Sequence, residues 1–495
     1  MKKTSLFSLF LATLLMLSSC GIIIINKGNG DITSEDGGNG TDISHPTYET
    51  QYYPLVSETD GKEISAQRLE ALPDRDFDGK SVIFAVATET GDIMFEDEGT
   101  YSQAVLYRNK LVADKYNTKI VVIKKSASEL LTGVKNAEKS GDYYSDFAVI
   151  RYADVGKYYA ANYLRNIKSL SFAELSDDKS YDPRAIEQLT FGSFTAGVSG
   201  YATEALEHYS CLYYNKEYAE KLGMALDYSM IYSGEFTWEK LFEIMKAVPK
   251  DSNSFVSSLN NDGLIRASFF STGQTYLSSN NGKLGISCAT ESSTKLVSYL
   301  KKLLPLRKDS IKKEVPSGAA EETGNTTVTI KGFDIFLEGE ALFAFGTLGD
   351  MARLTNCGFR WEALPLPKID ESEESYSTGV SSDAPIITAL ASGENIDSVG
   401  YVLRALNSAS FGYLKNEFYR DVQKNSITGV RTLDMIDLIS ENPIYDVAEM
   451  FGSSSSSLRN GTYNCLVSAV KEKMGFEYYL SRNASALNIY LNSLT

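Results

Sequence analysis

The stretch Ser145–Leu164, SDFAVIRYADVGKYYAANYL, passes from strand to helix within twenty residues. Phe147 to Ile150 is an unbroken apolar run of strand length, and Arg151 to Asp154 is a polar turn that feeds a helix-like segment. A strand apolar on both faces is buried on both faces, as in a parallel sheet covered by helices. Upstream, TKIVVIK (Thr118–Lys124) reads as a second strand, followed by a polar helix around Glu129 to Lys139. Before it, YSQAVLYRNKLVADKYN (Tyr101–Asn117) sets Val105, Val112 and Tyr116 on one helix face. Further back, LPDRDFDGKSVIFAVAT (Leu72–Thr88) supplies the first strand, Val82 to Val86. Strand, helix, strand, helix, strand predicts an α/β chain with a parallel sheet and helices on both faces. Ligands of such sheets sit outside the carboxyl ends of the strands, so the turns after Ala87 and Ile150 are the first candidates for a binding edge.

Asp74, Asp76, Asp78 and Gly79 imitate the first half of a calcium loop. The twelfth position, where a bidentate glutamate is needed, is Ala85 inside the strand, so the segment reads as a polar turn.

A second lobe begins near YATEALEHYSCLYYNKEYAEKLG (Tyr201–Gly223). FTWEKLFEIMKAV (Phe236–Val248) is a helix capped by Thr237, with Leu241, Ile244, Met245 and Val248 in one stripe. Ser252 to Lys283 reads as loop-heavy with exposed aromatics, SSTKLVSYLKKLL (Ser292–Leu304) as a helix, and 309–332 as an irregular polar connection. Ala341 to Phe345 is an apolar strand, and the segment after Phe359 is extended around Pro365 and Pro367. That extended reading runs to Ala389, and after it the chain reads as helical to the end, interrupted at Ser453 to Ser457.

The amino end has a different character. Lys2 and Lys3 precede an apolar run, Leu6 to Leu17, too short for a membrane span but suited to a secretory signal. Leu17-Ser18-Ser19-Cys20 resembles the lipobox of bacterial lipoproteins. That resemblance implies a signal peptide over 1–19 and a diacylglycerol on the Cys20 thiol, with acyl chains such as palmitate anchoring the protein to the cell membrane. Asn26 to about Thr50 is rich in Gly, Asn, Asp and Ser and cannot bury enough apolar surface to order itself. Residues 20–73 are therefore read as anchor and flexible tether.

The 495 residues carry a net charge of −16, which argues against nucleic acid as a partner. A body of roughly 440 residues exceeds one compact core, so two lobes are expected. Beyond Cys20 the cysteines are Cys211, Cys288, Cys357 and Cys465, widely spaced and without zinc-site spacing. With His45 and His208 the only histidines, most histidine-based catalysis and metal binding is excluded, and no cofactor is implied.

Taken in order, DFDGKSVIFAVAT, CLYYNKEYAEKLG, FTWEKLFEIMKAV, FLEGEALFAFG and EALPLPKIDESEESYSTG resemble recurring pieces of the extracellular solute-binding proteins of ABC importers, family 1, the sugar and oligosaccharide binders. The resemblance runs from about Asp74 to the carboxyl end. It implies a two-lobed, periplasmic-binding-protein-like α/β fold with hinge crossovers between the lobes. Lobe 1 would comprise 74–203 and 336–378, and lobe 2 would comprise 204–335 and 379–495. The first crossover would lie near Tyr201 to His208, the return to the first lobe near Phe336, and a further crossing in Leu366 to Ser382. It also implies a monomeric, non-enzymatic binder outside the cytoplasm that hands a carbohydrate to permease subunits.

Sugar recognition needs flat apolar faces flanked by planar polar groups. Strand-end and crossover positions nominate Glu89, Thr90, Arg151, Tyr152, Asp154, Tyr201, Glu204, Phe269, Phe270, Asp350, Tyr376 and Asp383, with Glu207 and Tyr276 beside them. Glu204 and Tyr152 are the leading choices. The shortage of tryptophan, two residues against 31 tyrosines, departs from the family pattern. A peptide, polyamine or other small solute is the alternative ligand. An anchored glycoside hydrolase is a weaker reading, because nothing singles out a carboxylate pair among 64 acidic residues. A scaffold lipoprotein would not need two hinged lobes.

Overall fold

Alternate residues of the first strand enter different cores. Val82, Phe84 and Val86 pack with Val112 and Tyr116, whereas Ala85 and Ala87 pack with Leu130 and Val134. This two-sided burial is what a central parallel strand requires. The computed structural model describes residues 58–90, 102–203, 205–280, 283–316, 325–355, 357–393, 396–425 and 431–494. The signal segment, Cys20, most of the tether and Glu204 lie outside them.

The first part of the chain gives α1 (Glu58–Glu70), β1 (Ser81–Ala87), α2 (Ser102–Tyr116), β2 (Lys119–Lys125), α3 (Ala127–Ser140), β3 (Phe147–Arg151), α4 (Val155–Ala160), β4 (Leu164–Arg165) and α5 (Pro183–Gln188). Then come β5 (Ser210–Asn215), α6 (Trp238–Ala247), β6 (Phe255–Ser257), α7 (Asn261–Phe270), β7 (Ser310–Pro316), β8 (Asn325–Lys331), β9 (Phe343–Thr347) and β10 (Trp361–Leu364). The carboxyl-terminal part adds β11 (Thr378–Gly379), β12 (Pro385–Leu390), α8 (Ile396–Ser410), α9 (Tyr413–Asn425), α10 (Arg431–Ser440), β13 (Pro443–Ile444) and α11 (Val447–Gly452) before further helices.

Two sheets organise these elements. The first has the order β2-β1-β3-β12-β4, with β1, β2 and β3 parallel and β12 antiparallel to β3. The second has the order β10-β5-β9-β6, with β9 parallel to β6 and antiparallel to β5. The fold is thus α/β with two lobes, as expected. Thr237 caps α6 by accepting from the Lys240 N–H, and Trp238, Leu241 and Met245 are buried along its inner face.

Four expectations need correction. Residues 343–364 belong to the second sheet, not the first, because β9 pairs with β5 and β6 and β10 with β5. The return to the first sheet comes instead at 380–384, leading into β12. Both β9 and β12 are short runs buried on two faces, and nothing local to either one says which sheet it joins. Second, 58–70 is a helix of the body and not tether: Ser65 donates to the Ala409 carbonyl at 2.7 Å, and Leu69 is buried. Third, 309–332 holds an antiparallel hairpin, with Ile311 opposite Ile330. Fourth, the aromatics of 252–283 are not exposed, since Phe269, Phe270 and Tyr276 are core residues around α7.

The acidic turn before β1 behaves as a turn. Asp76 Oδ1 accepts from the Asp78 N–H at 2.7 Å and from Asn117 at 2.8 Å, and Asp78 and Gly79 both take positive φ.

Gly400 in α8 offers a direct test of packing. A Cβ there would lie 1.9 Å from the Ser171 carbonyl oxygen. Helix propensity alone favours alanine by about 1 kcal/mol. Overpacking against fixed backbone costs about 1–3 kcal/mol or more, so the clash wins. Gly400→Ala is expected to lower the urea midpoint, and an unchanged or raised midpoint would refute this packing.

Candidate functional site

The carboxyl edges of both sheets meet where the chain crosses between them. Tyr209 bridges Val380, so the two crossing segments are themselves paired. The Ser381 N–H donates to the His208 carbonyl at 2.9 Å, and the Ala153 N–H donates to the Ser382 carbonyl at 3.0 Å. On the second-lobe side the Leu348 N–H donates to the Tyr209 carbonyl at 2.9 Å. Turns following β1, β3, β6 and β9 therefore surround one junction.

Charged groups cluster there. Arg151 ends β3, and its Nε donates to Asp154 Oδ2 at 2.7 Å. Lys157 Nζ donates to the other oxygen of Asp154 at 2.6 Å. Burial alone would raise the Asp154 carboxyl, but these two cations hold it below its ordinary value. Arg151 Nη1 also stands 3.6 Å from Asp383 Oδ1, whose side chain is 60% exposed. Arg151 is thereby aimed by a buried carboxylate while remaining half-exposed itself.

Around this pair lie several further polar groups. Thr90 is buried and its hydroxyl donates to the Ala87 carbonyl at 2.7 Å. Glu89 is exposed and its Oε2 accepts from the Ala127 N–H at 2.8 Å, at the start of α3. Burial pushes the His208 imidazole down to about 4, with Asp383 and a hydrogen bond to Thr90 opposing, so the ring is neutral near pH 7. From the second lobe, Asp350 Oδ2 accepts from the exposed Ser258 hydroxyl at 2.6 Å and from the Thr347 N–H at 3.0 Å.

Of the residues nominated from sequence, Glu89, Thr90, Arg151, Asp154 and Asp383 come together, and Asp350 stands on the facing edge. The aromatics do not join them. Tyr152 is fully buried, its hydroxyl bonded to the Asp446 backbone. Phe269 stacks on Tyr276 with ring centroids 4.1 Å apart, and Phe270 packs against both. Tyr376 is buried and donates to the Ile231 carbonyl at 2.8 Å. Tyr201 packs edge-on against Phe411, 4.6 Å between centroids, close to Arg68 of α1. Around β3 the contrast is one of placement: Arg151 ends the strand half-exposed at the junction, whereas Tyr152 opens the turn after it with its ring fully buried.

Ser258, Lys157 and His208 escaped nomination. Ser258 follows β6, three residues long and hidden in a Ser/Asn-rich stretch. Lys157 lies one helical turn past Asp154, which was the available signal.

No family model matches the chain, and no curated protein matches its sequence. Among solved structures, it is similar to a cyclic α-maltosyl-1,6-maltose binding protein from Arthrobacter globiformis, with TM-score 0.56 and 12% identity over 83% of this chain and 99% of that one. It is similar as well to the sugar-binding protein MalE from Xanthomonas citri, with TM-score 0.55, 10% identity and coverage of 83% and 98%. A third is the galacto-N-biose/lacto-N-biose I-binding protein of an ABC transporter from Bifidobacterium longum, with TM-score 0.53, 11% identity and coverage of 84% and 98%. The architecture is therefore that of two-lobed periplasmic binding proteins. Among the described residues, no helix is long and apolar enough to cross a membrane.

Proposed function

We propose that this protein captures a carbohydrate, an oligosaccharide in our reading, between its two lobes and delivers it to the permease subunits of an ABC importer. It does so as a monomeric lipoprotein, anchored through Cys20 outside the cytoplasm, and without chemical turnover. The observation that carries the reading is the junction of two sheet edges around Arg151, Asp383, Glu89, His208 and Ser258. Carboxylates, guanidinium, imidazole and hydroxyl supply paired donors and acceptors for sugar hydroxyls. The similarity to carbohydrate-binding proteins of the same fold supports it.

The mechanism follows from this placement. Asp154 and Lys157 fix Arg151 so that its remaining N–H groups approach a hydroxyl pair with little ordering cost. Asp383, Glu89 and Asp350 accept from other hydroxyls, and movement of the second lobe brings Ser258 and Asp350 towards ligand held by the first. The tether keeps the binder close to its transporter at raised effective concentration.

Calorimetric titration of the full chain against malto- and galacto-oligosaccharides, short peptides and polyamines tests the proposal. Saturable sugar binding with unchanged sugar recovered is expected. Arg151→Ala should weaken it by about ten- to hundredfold, the worth of one charged hydrogen bond. Tyr376→Phe, a core change, should leave affinity unchanged. Binding of peptides or polyamines alone would keep the fold and overturn the ligand class, and sugar cleavage would overturn the non-enzymatic reading.

A further inference from the structure

Residues 441–455 bond to both lobes at once. Toward the first lobe, Arg184 donates to the Glu441 carbonyl, and the Tyr445 N–H donates to Gln188 Oε1 at 2.6 Å. The Tyr445 hydroxyl lies 2.9 Å from that of Ser199. The buried Tyr152 hydroxyl accepts from the Asp446 N–H and donates to the Asp446 carbonyl. Phe451 packs edge-on against Phe191 and Tyr159, with centroids 5.1 and 5.6 Å away, and Ser453 donates to the Ala153 carbonyl.

Toward the second lobe the same segment is held as firmly. β13 pairs with β11, and the Asn442 side chain donates to the Ser377 hydroxyl at 2.8 Å. The Tyr276 N–H donates to the Asp446 carboxylate, and Arg266 of α7 pairs with Glu449 at 3.0 Å. Asp446 and Glu449 are both buried, so these bonds are shielded from competing water.

We propose that Glu441–Ser455 is a strap that sets the angle between the lobes, with Tyr152 as the tie to the first lobe. Lobe movement then turns about the strap as well as about the Tyr209–Val380 crossing. The strap is fixed to the second lobe by pairing and a buried ion pair. On the first lobe it is held by side-chain hydrogen bonds and by Phe451. This role is independent of which solute is bound.

The test is single-pair energy transfer in the full chain, without ligand. Fluorophores are introduced through unnatural amino acids at the exposed Lys135 of α3 and Lys246 of α6. The unaltered chain should give one narrow interlobe distance. Tyr152→Phe, which keeps the ring and removes the tie, should add a second population shifted by more than about 2 Å. Arg184→Ala combined with Gln188→Ala removes strap bonds from partly exposed side chains and should act in the same direction. This second variant decides the matter where Tyr152→Phe does not fold. Wild-type distances in the folded variants would overturn the strap, whatever the outcome of sugar titration.

Discussion

Arg266→Ala is expected to lower unfolding free energy by about 3–5 kcal/mol, the cost of leaving a buried carboxylate without its partner. Glu449 has a side chain only 5% exposed, and Arg266 Nη1 lies 3.0 Å from its Oε2. The other oxygen, Oε1, makes no hydrogen bond among the described residues, so no second donor is ready to compensate. The guanidinium also sits 5.0 Å from the centre of the Tyr463 ring, and that contact is lost too. Burial already raises the Glu449 carboxyl above its ordinary value, with Arg266 opposing. A carboxyl raised in the native state makes stability fall as pH rises past the unfolded carboxylate range. Removing Arg266 raises it further, so the deficit should be larger at about pH 8 than at about pH 5. Adding Glu449→Gln should recover part of the loss. Urea unfolding followed by circular dichroism measures all three, and a single-variant loss below about 1 kcal/mol would refute the account of this pair.

Trp238→Ala should cost about 3–5 kcal/mol by the cavity it leaves. Trp238 is fully buried, lies parallel to Phe345 with centroids 6.1 Å apart, and donates its indole N–H to the Ser271 hydroxyl at 3.0 Å. It thereby joins α6 to strand β9 and to the end of α7. Trp238→Phe should cost less, since a ring still fills much of the volume. Equal losses for the two variants would mean that the indole hydrogen bond, not packing, dominates.

The first sheet was legible because its strands announce themselves. Val82–Val86, Ile120–Ile123 and Phe147–Ile150 are dense apolar runs bounded by polar turns, and ordered turns followed each one. Helix α6 was legible from its Thr237 cap and apolar stripe. Strand partnership was not legible. Phe343–Thr347 and Pro385–Leu390 look alike locally, and only the tertiary packing assigns them to different sheets. The 310–331 hairpin was hidden because Lys312, Lys313, Glu314 and several threonines dilute its β-branched residues. Helix α7 was hidden by its opening Asn-Asp-Gly, and its Phe269 and Phe270 then appeared available for a ligand when they are core. Charged strand-end residues such as Arg151 and Asp383 come together at the junction because a buried sheet leaves them only its edge. The aromatic nominations failed because tyrosine and phenylalanine serve the core equally well.

Hydrogen–deuterium exchange of the full chain, with and without a saturating mixture of malto- and galacto-oligosaccharides, reads both sheet edges in one experiment. Added protection is expected in peptides covering 88–90, 151–154, 205–209, 258, 347–350 and 381–384. The rest of both lobes should stay unchanged apart from the strap at 441–455. No protection at these edges, or protection confined to another surface, would contradict a carbohydrate site at the junction of the two sheets.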